Sequence, residues 1–307
     1  VIRYHTEGVL FGVISAYPRR DWQSRRLVAA CARRGAVEVF IPTELALTER
    51  TVRARGQDAR RFDVWLLARG LGRSGDPDFQ CGVYRALGSL GLPVLNPVDA
   101  LLAAEDKAES SFRLARAGVP TPAMRAVQDL DGAERALAEL GDAVAKPPYG
   151  SLGIGVERVV AGHPESQRRL VSLLRRHGVV YLQAWVGRMP AEDLRLFVVG
   201  SAVAGAIART ARDGEFRTNV HQGARARAVR PSAELAGIAI AATRALGLEY
   251  GGVDVIEGPD GPTVLEVNGT PSWRAVHEAT GADMAEAIVA YAERLAARAR
   301  PARLAGA

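Results

Sequence analysis

The chain reads as an α/β protein that turns α+β in its later half. Three observations carry that expectation. Short β-branched apolar runs alternate with helix-like stretches over the first 96 residues, an apolar run near residue 146 breaks into a glycine-rich loop and resumes, and hairpin-like runs fill much of the stretch from Asp193 to Asn268. Strands alternating with helices imply a parallel sheet covered by helices. Runs joined by short Gly-containing turns imply antiparallel pairing.

Residues 9–15, VLFGVIS, predict a first strand, and Trp22 to Arg34, closed by Gly35, predicts a helix. VEVFI at 37–41, DVWLLA at 63–68 and PVLN at 93–96 predict further strands, with a helix from about Phe79 to Leu90. Asn96-Pro97 predicts a boundary, because a residue before proline is pushed out of the helical region. A helix is expected from Val98 to Ala117, stopped by Gly118, Pro120 and Pro122. AVAK at 143–146 runs into PPYGSLGIG and resumes as VERVV at 156–160; a helix from about Pro164 to His177 and a strand at 179–186 follow. DLRLFVVG and SAVAGAIART predict a hairpin around Gly200 and Ser201, then a polar loop from Ala211 to Gly223. A helix at 232–246, strands at 251–257 and 263–268 around a Gly/Pro/Asp turn, and a terminal helix at about 280–299 complete the pattern, with no internal repeat. Three domains are expected, at 1–97, 98–186 and 187–307.

Composition narrows the class. At 48% hydrophobic and 24% charged, the 307 residues are ordinary for a packed protein. No run approaches the ~18 uninterrupted apolar residues of a spanning helix, and charges at Glu7, Arg19, Arg20 and Asp21 interrupt any signal peptide, so a cytoplasmic location is expected. Cys31 and Cys81 form no CxxC pair and read as buried thiols. The net charge of +6 raises a nucleic-acid partner, and a basic nucleic-acid-binding module is the alternative from another class. The arginines are interleaved with Asp and Glu, without a basic block or stacking aromatics, which argues against it.

Of 40 basic residues only Lys107 and Lys146 are lysines. In an arginine-biased chain a retained ammonium is informative, since a flexible point charge and a planar fork are not interchangeable. Lys146 ends an apolar strand directly before the loop carrying Gly150, Ser151, Gly153 and Gly155. Glycines let backbone N–H groups turn toward an anion. The loop is not a Walker A motif, because no Lys-Ser/Thr follows and the next segment is a strand. The bland alternative is a hairpin turn beside a snorkelling lysine. Asp254 lies on one apolar strand and Glu266 and Asn268, two apart and so facing the same way, on the next: an oxygen set suited to a hard cation such as Mg²⁺. Burying carboxylates in apolar strands is costly unless they are paired or metal-bound, which weighs against a merely exposed polar face. Arg217 and Asn219 sit in the polar loop, and Arg217 can grip a phosphate or oxyanion bidentately. Asp106-Lys107 opens a helix, where charge pairing at the N-terminus explains it about as well as a ligand role does.

Taken in order, DK at 106–107, AGVPTP at 117–122, VAKPPYGSLGIGV at 144–156, LQAWV at 182–186, DLRLFVVG at 193–200, EFRTN at 215–219, GVDV at 252–255 and LEVNGTP at 265–271 resemble the ATP-grasp superfamily, and within it the RimK-type amino-acid ligases. The likeness covers roughly residues 93–290. It implies an ATP-grasp fold with a Rossmann-like amino-terminal domain, a small central domain bearing the glycine loop, and a carboxyl-terminal antiparallel-sheet domain bearing the metal site. It implies that Lys107 and Lys146 contact ATP phosphates under the Gly150–Gly155 loop, that Ala184 and Trp185 form the hinge whose backbone holds adenine, and that Asp193 reaches the ribose side. Arg217 and Asn219 would meet the triphosphate, with Arg217 and Lys146 catalytic, and Asp254, Glu266 and Asn268 would hold two Mg²⁺ ions, for which Mn²⁺ can substitute. The sequence departs from the family at Ala184, where a carboxylate is common; backbone contacts survive that change and a side-chain contact does not.

The implied reaction is ADP-forming ligation of a carboxylate to an amine through an acyl-phosphate, with L-glutamate added to an acceptor. VWLLARGLGRSGDPDFQ looks most like the branch acting on tetrahydromethanopterin, with a protein carboxyl terminus or an amino-carrier protein as the alternative acceptor. Arg69 and Arg73, just beyond a strand's carboxyl end, and Arg195 are the candidate substrate contacts. No membrane partner is expected, and the sequence leaves room for a homo-oligomer.

Overall fold

A computed structural model describes residues 8–70, 72–150, 154–187, 191–212, 215, 218, 223–258 and 261–305. Strand β1 (Val9–Ser15) is followed by helix α1 (Trp22–Arg34), whose N-cap Asp21 accepts from the Ser24 N–H. A side-chain cap of this kind contributes about 1 kcal/mol. Strands β2 (Gly35–Phe40), β3 (Leu45–Leu47), β4 (Val52–Ala54), β5 (Gln57–Asp58) and β6 (Val64–Arg69) lead to helix α2 (Pro77–Ser89) and strand β7 (Val94–Leu95). The parallel sheet runs β2-β1-β6-β7, as the strand–helix alternation predicts, while β3, β4 and β5 form a small antiparallel sheet that the sequence reading did not distinguish. Trp65, Phe40 and Phe62 pack against one another in its core, fully or almost fully buried.

The helix expected from Val98 to Ala117 is two helices, α3 (Val98–Glu105) and α4 (Lys107–Arg116). Asp106 breaks it: its backbone is extended, and its carboxylate accepts from the N–H groups of Ala108 and Glu109. An Asp side chain competes in this way with helical hydrogen bonds. That break starts a new helix at Lys107.

Strand β8 (Met124–Val127), helix α5 (Leu130–Leu140), strands β9 (Asp142–Lys146) and β10 (Glu157–Val160), helix α6 (Pro164–His177) and strand β11 (Val180–Ala184) build a second sheet, ordered β10-β9-β11-β8 and antiparallel throughout. It has its own core, including Ala133, Leu137, Ala145, Leu170 and Leu182. Strands β12 (Glu192–Val199), β13 (Ala202–Thr210) and β14 (Arg225–Ala228), helix α7 (Ala233–Ala245), and strands β15 (Tyr250–Gly258) and β16 (Gly261–Asn268) form the third sheet, ordered β14-β13-β12-β15-β16. Helices α8 (Arg274–Thr280) and α9 (Met284–Ala305) close the chain. Of the described residues, no helix is long and apolar enough to cross a membrane.

The first and third sheets share their cores. Phe11, Val64 and Leu66 lie in one apolar cluster with Phe197, Ile207, Ile288 and Val289. Asn96, fully buried at the expected boundary, donates from Nδ2 to the carbonyls of Tyr250 and Gly269 (2.8 Å each) and accepts at Oδ1 from the N–H groups of Glu249 and Tyr250 (2.7 and 3.0 Å). Four backbone groups thereby gain a hydrogen-bond partner. The boundary residue is a rivet between the amino-terminal sheet and β15.

Candidate active site

Sheet register builds the floor of the cleft. On β12, Asp193 faces Arg209 of β13, and Arg195 faces Asp254 of β15; Asp254 in turn faces Glu266 of β16. Residues two apart on a strand share a face, so all five charged groups come to one side of the sheet. Arg195 grips Asp254 with two hydrogen bonds (2.7 and 2.6 Å), and Arg209 is fixed to Asp193 through Nε (2.7 Å) and a second bond from Nη2. Arg209 Nη2 also lies 3.0 Å from Asp254 Oδ2, and the Thr218 hydroxyl donates to Asp193. Burial holds the Asp193 carboxyl above the ordinary carboxylate range. For Asp254 burial works the same way, but two guanidiniums outweigh it and hold the group low.

The opposite wall comes from the second sheet. Lys146, at the end of β9, donates from Nζ to Gln183 Oε1 on β11 (2.6 Å), and Gln183 Nε2 reaches the Leu265 carbonyl beside Glu266 (3.4 Å). Burial pulls the Lys146 ammonium below its ordinary value; Glu266 and Asp254 counter this, and Lys107 adds to it. Lys107 Nζ donates to the Gly150 carbonyl (2.7 Å), and the Tyr149 hydroxyl donates to Asp106 (3.0 Å). The start of α4 and the loop after β9 are therefore pinned together. Gly150 has φ of +133°, and at Gly155 a Cβ would meet Pro147 at 2.9 Å, so this loop requires glycine at both positions.

Between these walls lies a cleft of about 400 Å³, lined by Arg69, Lys107, Lys146, Gly150, Ala184, Trp185, Asp193, Arg195, Asp254, Glu266 and Asn268 among others. Residues from the parallel, second and third sheets, nearly 200 positions apart in sequence, thus converge on one site. Ser151, Gly153, Arg217 and Asn219 lie outside the described residues. Arg73 is exposed and does not line the cleft.

At three of the expected site positions the structure shows groups already engaged within the protein. Asp193 is 4% exposed, and its carboxylate accepts from Arg209 and Thr218 in the floor. Asp254 stands opposite Glu266 as expected, but both its oxygens are engaged by guanidiniums. The N–H groups of Ala184 and Trp185 are already given to the carbonyls of Ala123 and Asp142 (2.8 and 2.9 Å), so neither is free for a base; the next amides along the lining are those of Val186 and Gly187.

The donor set still fits a hard cation. Glu266 faces the cleft with no hydrogen-bonded or ion-paired partner among the described residues, and Asn268 engages only its Nδ2, to the Gly252 carbonyl (3.4 Å), leaving Oδ1 available. A carboxylate and an amide oxygen two residues apart on one strand suit Mg²⁺ that keeps water and phosphate in its remaining positions. The described residues contain no cluster of three His, Cys, Asp or Glu that could hold a metal unaided.

Gln183 and Arg209 were not singled out from the sequence. Each is a polar residue within an apolar strand and almost fully buried, a cue that such a group has a partner waiting across the fold.

The RimK-like ATP-grasp domain model matches residues 104–292. The chain belongs to the RimK-like ATP-grasp family. A tetrahydromethanopterin:α-L-glutamate ligase of Methanosarcina acetivorans is 31% identical over 90% of this chain and 96% of its own. A probable α-L-glutamate ligase of Legionella pneumophila is 35% identical over 70% of this chain and 71% of its own. The ATP-grasp ligase PsnB, solved with a minimal precursor, Mg and ADP, superposes with a TM-score of 0.72 at 21% identity, covering 94% of this chain and 97% of that one. As a RimK-like ATP-grasp ligase, the protein is an ADP-forming enzyme that makes C–N bonds, in a family that uses ATP and Mg²⁺.

Proposed function

We propose that this RimK-like ligase adds L-glutamate to a carboxylate-bearing acceptor of the tetrahydromethanopterin type. The observation that carries the reading is the convergence of the chain's two lysines on one cleft with Asn268 and with Glu266, which has no hydrogen-bonded or ion-paired partner among the described residues. The likeness to glutamate ligases over nine-tenths of the chain supports the donor and the acceptor class.

In this reading Lys146 and Lys107 hold the ATP phosphates, the loop around Gly150 covers them, and the lining at Val186 and Gly187 receives the adenine. Glu266 and Asn268, with Asp254 beside them, would hold Mg²⁺, which supplies charge neutralisation on the phosphate oxygens. An acceptor carboxylate oxygen attacks the γ-phosphorus, and the bond to the bridging oxygen breaks to release ADP. The glutamate nitrogen then attacks the acyl carbon; phosphate leaves from the tetrahedral intermediate and the nitrogen loses its proton. The ammonium of Lys146 offsets charge on the moving phosphoryl group by placement alone. Arg217 is proposed to stabilise the same group and Asn219 to contact the triphosphate, from the loop beyond β13. The cleft residues shield the acyl-phosphate from water.

Mass spectrometry of pterin, deazaflavin and protein acceptors incubated with enzyme, ATP, Mg²⁺ and glutamate tests this directly. The expected product carries an added glutamyl residue on a pterin-type acceptor; ATP turnover without any glutamylated product would overturn the reading. Lys146→Ala and Glu266→Ala are expected to abolish acceptor-dependent ADP release while the fold remains.

A further inference from the structure

Among the cations of the cleft, Arg69 stands apart. Lys146 is hydrogen-bonded to Gln183 and faces Glu266, Lys107 is bonded to the glycine loop, and Arg195 and Arg209 are held in close ion pairs. Arg69 is the last residue of β6, at the carboxyl end of the parallel sheet, and reaches the same cleft from the amino-terminal side. Its contacts are loose: Nη1 to the neutral Gln23 Oε1 at 3.4 Å, and Nε to Asp21 Oδ1 at 3.9 Å. Asp21 is occupied elsewhere, since its Oδ2 caps α1 by accepting from the Ser24 N–H (2.7 Å) and hydroxyl (2.8 Å).

Gln23 is itself fixed. It is 8% exposed and donates from Nε2 to the Pro271 carbonyl (2.9 Å), in the turn after β16 that carries Thr270 and Ser272 into the cleft lining. Pro271 in turn packs over Gly252, where an added Cβ would also come within 3.9 Å of Arg195 Nε, so the Pro271 turn links Gln23 to the charged floor. A guanidinium oriented by a neutral amide, with no carboxylate closer than 3.9 Å among the described residues, in the same cleft as the two lysines, suits a carboxylate that arrives with the substrate.

We propose that Arg69 binds a non-reacting carboxylate of the ligase's substrates, so that the amino-terminal sheet supplies the acid-recognition wall of the cleft; the proposal rests on the ligase reading above. The amine donor is the source favoured, because a glutamate placed with its amine toward the acyl-phosphate still carries two carboxylates to be bound. Gln23 is the positioning residue that holds the guanidinium toward the Pro271 turn.

Calorimetric titration of L-glutamate into the full-length protein saturated with ADP and Mg²⁺ tests the proposal, with KM values for glutamate and for the acceptor from the mass-spectrometric assay as the second readout. Arg69→Met is expected to weaken L-glutamate about 10- to 100-fold, the range for loss of a charged hydrogen bond, with ADP·Mg²⁺ affinity unchanged. Arg69→Lys is expected to recover part of the loss. L-glutamine and the α-amide of glutamate, titrated in parallel, identify which carboxylate is gripped: the analogue lacking it loses its sensitivity to Arg69→Met. A rise in acceptor KM with glutamate unaffected would assign the grip to the acceptor's carboxylate and still support the proposal. Unchanged affinity and unchanged KM for both substrates would overturn it. Failure of the wild-type protein to bind ADP·Mg²⁺ would instead remove the ligase reading and this proposal with it.

Discussion

Removing the Arg209 side chain tests whether the charged floor is a structural unit. Asp193 and Asp254 are 4% and 5% exposed, and Arg209 bridges them. In Arg209→Leu, Asp254 keeps its two-bonded Arg195, whereas among the described residues Asp193 keeps only the Thr218 hydroxyl. The cost therefore falls mainly on one buried carboxylate. Stripping a partner from a buried ion pair costs about 3–5 kcal/mol, and the surviving partners place this case near 3 kcal/mol. In a chain of this size that corresponds to a fall in Tm of roughly 5 °C. The pH dependence has a definite sign. Asp193 already sits above the ordinary carboxylate range in the folded protein because of burial, and loss of Arg209 raises it further. A group raised on folding contributes stability below its unfolded value and loses it as pH rises through the folded value. The deficit of the variant, measured by urea unfolding, should thus be full on the alkaline side and shrink as pH falls. Asp193→Asn added to Arg209→Leu should recover more than half of the loss on the alkaline side. A deficit below about 1 kcal/mol, or one that does not change with pH, would refute the assignment of Arg209 as the neutralising centre of the floor.

Other consequences follow from the same geometry. Because burial holds Lys146 below the ordinary lysine value, phosphate binding should weaken on the alkaline side at a lower pH than a solvent-exposed lysine would give. In Lys146→Arg that limb should move to higher pH in a KM-versus-pH profile for ATP, if any turnover remains. Gln183→Leu removes the 2.6 Å acceptor from Lys146 and should raise KM for ATP about tenfold or more, read from ADP release, while Gln183→Glu keeps an acceptor and should retain more of the affinity. Asn96→Ala leaves four buried backbone groups without their partner and should cost about 3–5 kcal/mol in urea unfolding.

Much of the site was legible in the sequence because its residue types carry chemistry at short range. Lys146 ending an apolar strand before a glycine run, and Glu266 and Asn268 alternating on a strand, need only the two-residue strand period to be placed. The strands β1 and β6, the helix α1 and the β12–β13 hairpin were equally local, read from apolar runs and turn residues. The Asp106 break between α3 and α4 turned on one side chain outcompeting helical bonding, which periodicity over a longer window conceals.

By itself, then, the order of residues determined the family and the class of chemistry, and it singled out many of the polar groups that line the cleft. Tertiary structure decided how those groups are spent. Asp193 and Asp254 carry the same charge and sit on adjacent strands, yet pairing across β13, β12 and β15 commits both to arginines, while Glu266, one strand further out, stays open to the cleft. Arg69 and Arg73 look alike four residues apart, and only the first reaches the cleft, because β6 ends at Arg69 and the chain then turns away. A side chain's partners are set by strand register and by the meeting of sheets distant in sequence, and neither is written in the local pattern that specifies the strands.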